Sequence, residues 1–221
     1  MDVTLTSWAH EFDVLWERAN IRHRGKIRVI PKYTAGWNII WFVLAVLHQV
    51  FSGFQAPWLM TNFYTTIGRM IFAPGDGSSW EALEASSKWG MFRHELSHMD
   101  EMYFGDPDLH AKGTLVAEEK SSVHKIMYCW KYLFYKLPIR YASYRAYVER
   151  WGYLQQVRQY AYISSGNISP RMHAMIYSYL SGPTYAWTCT KSRAKELADG
   201  VISQVRDECI SGKLERIMFP M

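Results

Sequence analysis

The stretch that decides the fold reads RHELSH and occupies residues 93–98. Its two histidines, His94 and His98, are four residues apart, so on a helix they share one face, about one turn from each other. Imidazoles placed in this way can reach one zinc ion at about 2.0–2.1 Å and leave a coordination position open. Glu95 points beside such an ion, where it can take a proton from a water whose pKa zinc lowers to about 7. The motif therefore predicts Zn²⁺ bound by His94 and His98, with Glu95 as the general base of amide hydrolysis.

The residues alone leave the third metal ligand open. A longer motif with Gly at position 101 and His at position 104 is excluded, because the chain has Glu101 and Phe104 there. Glu101 lies seven residues beyond His94 on the same helix face, and a carboxylate there could bind the metal or support a ligand. The full set of candidates is Glu101, Glu118, Glu119, His110, His124 and Glu149.

The segments around the motif predict the secondary structure in which it lies. We predict that its helix begins near Trp80, with Ser79 as the N-cap, and ends near Phe104. Residues 62–73 are rich in β-branched and aromatic side chains and stop at the turn sequence PGDG, so they predict a single strand. An exposed edge of that strand could bind a substrate backbone by strand addition.

The rest of the chain predicts a mainly helical protein. Apolar periodicity indicates helices over 5–20, 36–52, 112–136, 139–163, 170–180 and 190–212, and a short strand within 21–33. The expected fold class is α+β, predominantly helical, of the zincin-like metallopeptidase type, with a small sheet packed on the active-site helix. We expect one domain over 1–221. Its parts are an N-terminal helical extension (1–60), a zincin core (61–163) and a C-terminal helical region (164–221).

The most apolar stretch, residues 37–51, raises the question of a membrane segment. It carries no formal charge, but it has only about fifteen residues, whereas a spanning helix needs about 20. His48 and Gln49 stand near its end. We therefore predict a buried core helix and no membrane span, with a membrane-associated peptidase that uses residues 37–52 as the alternative.

Charge and cysteine content indicate which classes of partner and which cellular compartment to expect. The net charge of +5 and the pI near 9.0 favour acidic partners such as cell-wall polymers, but no nucleic-acid-binding motif is present. Three cysteines without short spacing argue against a disulfide framework or a cysteine-based zinc site, which fits a reducing compartment. The first residues are polar and acidic, so we expect no signal peptide and a cytoplasmic (host-cell) or virion-associated location.

Three stretches of the chain resemble a family of small zinc metallopeptidases found in phage and bacterial genomes. The first is TTIG at 65–68 leading to Pro74, and the second is HELSH at 94–98. The third begins with LP at 137–138 and ends with ERWGY at 149–153. The resemblance covers about residues 60–160, and a weaker similarity occurs at residues 179–187. It departs from the family at Glu101, where Gln is frequent, and at Gly152, where the family has Ala.

The resemblance implies a gluzincin-like arrangement with His94, His98 and Glu149 as the metal ligands. It also implies that Tyr153, one turn beyond Glu149, helps to stabilise the oxyanion. The expected substrate is a protein or peptide; the basic pI and the many aromatic residues make the stem peptide of cell-wall peptidoglycan an alternative. A different class is a phage virion structural protein that keeps the peptidase fold and acts in virion assembly.

Overall fold

The computed structural model describes residues 5–34, 36–52, 64–133, 142–182 and 189–220. These residues are predominantly helical and include one three-stranded sheet, which confirms the α+β class. The chain divides into two compact units, residues 1–95 and 96–221, and the division falls within one continuous helix. The predicted boundaries at residues 60 and 163, and the zincin-like type of the fold, stay predictions.

Among the described elements, helices and strands are mixed up to residue 73, and every later element is a helix. In chain order they are α1 (Leu5–Arg22), β1 (Arg28–Pro31), α2 (Trp37–Ser52), β2 (Thr65–Ile67), β3 (Met70–Ala73), α3 (Ser78–Glu81), α4 (Ala85–Phe104), α5 (Ser122–Leu133), α6 (Ala142–Ile163), α7 (Pro170–Ser181), α8 (Lys191–Ile210) and α9 (Leu214–Met218).

The sheet of the first unit has the order β1-β3-β2. β1 and β3 are parallel, so the chain must cross over between them, and α2 lies in that crossover. β2 and β3 form an antiparallel hairpin in which Ile67 pairs with Met70. Gly68, with a φ of 63°, begins its two-residue turn, a backbone conformation that glycine adopts without strain. The predicted single strand over 62–73 is therefore wrong where the structure describes it, because Gly68 reverses the chain.

The two faces of the sheet meet different helices. Side chains alternate between faces along a strand. Ile67, Met70 and Ile30 pack beside Trp41 of α2 and Phe72. Thr66, on the opposite face, donates a hydrogen bond to Glu95 of α4. Within the first unit, α2 and α4 thus lie on opposite faces of the sheet. The contact with α4 agrees with the prediction that a small sheet packs on the helix that carries the motif.

Helix α1 packs against the N-terminal half of α4 through aromatic side chains. The rings of Trp8 and Trp89 are 5.6 Å apart in an edge-to-face arrangement, and those of Trp16 and Phe92 are 4.9 Å apart. Phe12 also meets Phe92 edge to face. Offset and edge-to-face pairs are the favourable aromatic geometries. Aromatic side chains therefore form the contact between these two helices.

Helix α2 is not the buried core helix that the sequence predicted. Its Trp41 is only 2 % exposed, but Ile39 and Phe42 are 67 % and 65 % exposed. The reason is that a helix in a single layer over a sheet has one covered side, while this helix is apolar around its circumference. No helix in the described part of the chain is long and apolar enough to cross a membrane.

Two predicted helix boundaries also need correction. Residues 80–104 do not form one helix, since α3 ends at Glu81 and α4 begins at Ala85; Gly77, and not Ser79, takes the N-cap position of α3. The predicted helix over 112–136 is helical only from Ser122 to Leu133 in the described residues, and turns and extended chain precede it.

The second unit is held together by a buried ion network on α6 and α8. The guanidinium of Arg158 (2 % exposed) donates 2.6 Å hydrogen bonds to Asp108 and to Glu208, and its Nε donates a further 2.8 Å bond to Glu208. Gln155, one turn earlier, also bonds Asp108. A planar guanidinium with five donors suits two carboxylates at once. The network joins α6, α8 and the loop after α4.

We expect Arg158→Met to lower the free energy of unfolding by about 3 kcal/mol, because the change leaves two carboxylates without their cation. Urea denaturation followed by circular dichroism would measure it. Arg193→Met is the matched control: Arg193 pairs with Glu196 on an exposed helix surface, and its loss should cost less than about 1 kcal/mol. Equal costs for the two variants would contradict a structural role for the network.

Candidate metal centre

Three side chains from different turns of the chain come together around one point. The potential ligand atoms of His94, His98 and Glu149 lie within 4.8 Å of one another, and all three side chains are buried. The histidines are one turn apart on α4, as the motif predicted. Among the described residues, no second group of three His, Cys, Asp or Glu side chains is brought this close. A buried group of this kind could hold a metal ion.

Glu149 of α6 divides its two carboxylate oxygens between different partners. Its Oε2 is 3.7 Å from Nε2 of His98. Its Oε1 accepts a 2.6 Å hydrogen bond from the hydroxyl of Tyr132 on α5 and lies 3.7 Å from Nε of Arg145. A buried carboxylate is costly unless it is paired and hydrogen-bonded. These contacts hold Oε1 in place and leave Oε2 facing His98.

Tyr132 is a neighbour of the candidate ligand group that the sequence did not reveal. Its ring centroid is 6.2 Å from that of His98, and its ring stacks on Tyr128 with 6.0 Å between centroids. The guanidinium of Arg145 lies 5.0 Å from the same ring. Tyr132 therefore donates a hydrogen bond to one ligand candidate, Glu149, and has its ring near a second, His98. Nothing in the local sequence distinguishes it from the many other tyrosines, so only the fold could identify it.

Two imidazoles and one carboxylate are a donor set of the kind that binds a metal ion, and zinc is the ion that the motif predicted. Zinc is commonly bound by imidazole nitrogen and carboxylate oxygen, and ligand atoms on one tetrahedral ion lie about 3–4 Å apart. The 3.7 Å separation between His98 and Glu149 is within that range. Ligating histidines and carboxylates are normally oriented by further hydrogen bonds, which is the part that Tyr132 takes at Glu149.

Glu95, the predicted general base, is fixed by the sheet. Its side chain is 4 % exposed, and its Oε2 accepts a 2.6 Å hydrogen bond from Oγ1 of Thr66 in β2. β2 is an edge strand, since the sheet order places β3 on one side of it only. The base thus follows His94 directly on α4 and is oriented by an edge strand. The sequence had singled out both segments but not this contact.

Lys32 is a buried cation on the other face of the sheet. Its Nζ donates a 3.2 Å hydrogen bond to Thr65 and lies 4.6 Å from the ring centroid of Trp41. Burial lowers the pKa of Lys32 to about 7, and the negative charge of Glu95 opposes that decrease. Thr65 and Thr66 therefore place a lysine and a glutamate on opposite sides of one strand.

The other candidate ligands lie outside the group. Glu101 is buried, and burial raises its pKa, while the charge of His124 acts in the opposite direction. His124 approaches the backbone carbonyl of Glu101 at 3.4 Å and not its carboxylate. Glu119 pairs with Lys125, and Glu118 is exposed. His110 is buried but is not part of the group.

Tyr153 lies in the core of the second unit. It is 3 % exposed, and its ring stacks on Tyr179 with 6.2 Å between centroids and 6° between planes. It follows Glu149 by one turn on α6, as the sequence predicted. Its role at an oxyanion stays a prediction.

Comparison with known proteins adds no relative. Neither protein-family models, nor characterised proteins, nor solved structures give a match to this chain. The resemblance to phage and bacterial metallopeptidases therefore stays a prediction. Of its stretches, residues 137–141 and 183–187 lie outside the described residues.

We expect the purified protein to bind about one zinc ion per chain and Glu149→Ala to lose it, because a two-ligand site is much weaker than a three-ligand site. Elemental analysis of both proteins, purified in parallel, would measure this. Glu101→Ala is the matched control, a buried carboxylate outside the group. Loss of zinc in the control with retention in Glu149→Ala would move the third ligand to Glu101.

Tyr132→Phe is a milder test of the same site, in case Glu149→Ala loses zinc only because it does not fold. It removes one hydroxyl and keeps the ring that packs on Tyr128. Removing such an outer-shell hydrogen bond lowers metal affinity by about 10- to 100-fold, which competition with a zinc chelator would resolve. Unchanged affinity would show that Tyr132 does not orient the ligand.

Proposed function

We propose that this protein is a zinc-dependent metallopeptidase with a zincin-like fold, which hydrolyses amide bonds in a protein or peptide. One observation carries the proposal. His94, His98 and Glu149 form a buried ligand group, and the helix that bears both histidines presents Glu95 next to His94. A site that only stabilises the fold does not need a carboxylate beside its ligands.

The residues of the chain divide the chemistry among them. Bound zinc would polarise the scissile carbonyl and lower the pKa of water. Glu95 accepts a proton from the water whose oxygen attacks the carbonyl carbon. It then passes this proton to the amine nitrogen as the carbon–nitrogen bond breaks, so the products are a carboxylic acid and an amine. Glu149 and the two histidines hold the ion.

The edge strand β2 supports a peptide as substrate. Its neighbour β3 pairs with one edge, and no described strand pairs with the other. An extended peptide can add to such an edge through backbone hydrogen bonds. Thr66, which is part of this strand, bonds Glu95, so a peptide held there would run beside the general base.

Zymograms with casein and with purified cell wall would separate a protein substrate from peptidoglycan.

Glu95→Gln should lower hydrolysis of casein by about 100- to 10,000-fold, the range for loss of a general acid–base group. The amide keeps the size of the side chain and can still accept the hydrogen bond from Thr66, so the variant should fold and keep its zinc. The measurement is kcat/KM together with zinc per chain. Hydrolysis at the wild-type rate in this variant would refute the proposed role.

Thr66→Val tests the positioning of the base. The isosteric change removes the 2.6 Å hydrogen bond to Glu95. Because hydrogen bonds to charged groups are worth about 1.5–3 kcal/mol, we expect kcat to fall about tenfold while KM changes little. Thr66→Ser keeps the hydroxyl and should retain most activity. A similar loss in both variants would indicate a packing effect on the hairpin instead.

A further inference from the structure

The side of α2 that faces away from the sheet is an exposed apolar surface. Five side chains form it, and we call it the outer face of α2: Ile39, Ile40, Phe42, Val43 and Val46, which are 67, 48, 65, 50 and 39 % exposed. Trp41, on the opposite side of the helix, packs on Phe72 of the sheet. Contiguous exposed apolar surface is rare on soluble proteins and marks a site of interaction.

The sequence around the outer face separates apolar residues from charges. No Lys, Arg, Asp or Glu occurs from Tyr33 through Gly68. The exposed cations Arg24, Lys26 and Arg28 precede this uncharged stretch by a few residues, and the buried Lys32 lies between. Arg28 is two residues from Ile30, so the two share a sheet face, and Ile30 packs beside Trp41 of α2. Arg28 therefore lies on the sheet face that α2 covers, and the other two cations precede it directly in the chain.

We propose that the outer face of α2 docks on an anionic lipid surface, with the helix lying in the plane of the bilayer. The helix has 16 residues and is thus about 24 Å long, less than the roughly 30 Å of a bilayer core. Its aliphatic and aromatic side chains would enter the boundary between headgroups and acyl chains. Arg24, Lys26 and Arg28 would contact the lipid phosphates and carboxylates, as basic residues do beside interfacial helices.

The chemistry of the outer face favours lipid over a second protein. Protein interfaces combine apolar anchors with polar groups that fix the register of the two partners. The five side chains of the outer face offer no hydrogen-bonding group. In a pair of identical chains the same three cations would be present on both members, whereas an anionic surface neutralises them. An exposed apolar helix face together with exposed cations in the segment before it thus matches a fluid apolar layer with a negative boundary.

Docking in this way would leave the proposed general base on the far side of the sheet. Ile67, beside α2, and Thr66, which bonds Glu95, are adjacent residues that point to opposite faces. The inference does not rest on the proposed peptidase function, because it uses only the surface of α2 and the neighbouring cations.

Co-sedimentation of the full chain with vesicles tests the inference. We expect binding to vesicles that mix phosphatidylserine with phosphatidylcholine, weaker binding to phosphatidylcholine alone, and release by salt. Ile39→Ser combined with Phe42→Ser should weaken binding by about tenfold or more. Replacing Arg24, Lys26 and Arg28 by Ser should weaken it about fivefold per residue. Ile210→Ser is the matched control, since Ile210 is 85 % exposed in the other unit.

Three results would overturn the proposal. The first is an absence of binding to both kinds of vesicle by a protein whose thermal unfolding is cooperative. The second is an equal loss of binding in Ile210→Ser and in the Ile39 and Phe42 double variant. The third is a dimer by light scattering that the double variant dissociates, which would assign the outer face to a second copy of the chain. None of these measurements depends on hydrolysis, so they are separate from the test of Glu95.

Discussion

A run of buried polar side chains on α4 is the constraint on which the rest of the structure depends. Every residue from Phe92 through Glu101 is buried, and seven of the ten are polar: Arg93, His94, Glu95, Ser97, His98, Asp100 and Glu101. Each buried polar group is unfavourable unless another group compensates it. The compensation comes from separate elements, with Thr66 of β2 meeting Glu95 and Glu149 of α6 approaching His98. Two elements distant in sequence thus each supply a side chain to a buried polar group of this helix.

The sequence predicted the parts of the site that lie within one helix. His94 and His98 share a face because helical geometry is regular, so their spacing alone was sufficient. Glu149 came from a resemblance and not from spacing, because fifty residues of chain separate it from the histidines and periodicity carries no information over such distances. Tyr132 was beyond reach for the same reason. Its role depends on how α5 is oriented against α6, which no local pattern encodes.

The errors in the fold have equally local causes. The hairpin at Gly68 was missed because β-branched residues on both sides suggested one strand, although a glycine inside a strand pattern is a signal for a turn or bulge. Helix α2 was assigned to the core because it is apolar. Hydrophobicity measures the tendency to leave water, but it does not say whether protein or another apolar phase covers the helix. The small sheet covers only one side of α2. The apolar side chains on the opposite side are exposed, although their hydrophobicity is the same.

The hydrogen bond between Tyr132 and Glu149 makes the two oxygens of this carboxylate unequal. The phenol hydroxyl occupies one of about two lone-pair sites on Oε1. Oε2, which lies 3.7 Å from Nε2 of His98, would therefore be the stronger donor to a cation held by the group. One hydroxyl on α5 thereby gives an otherwise symmetric side chain on α6 a preferred oxygen.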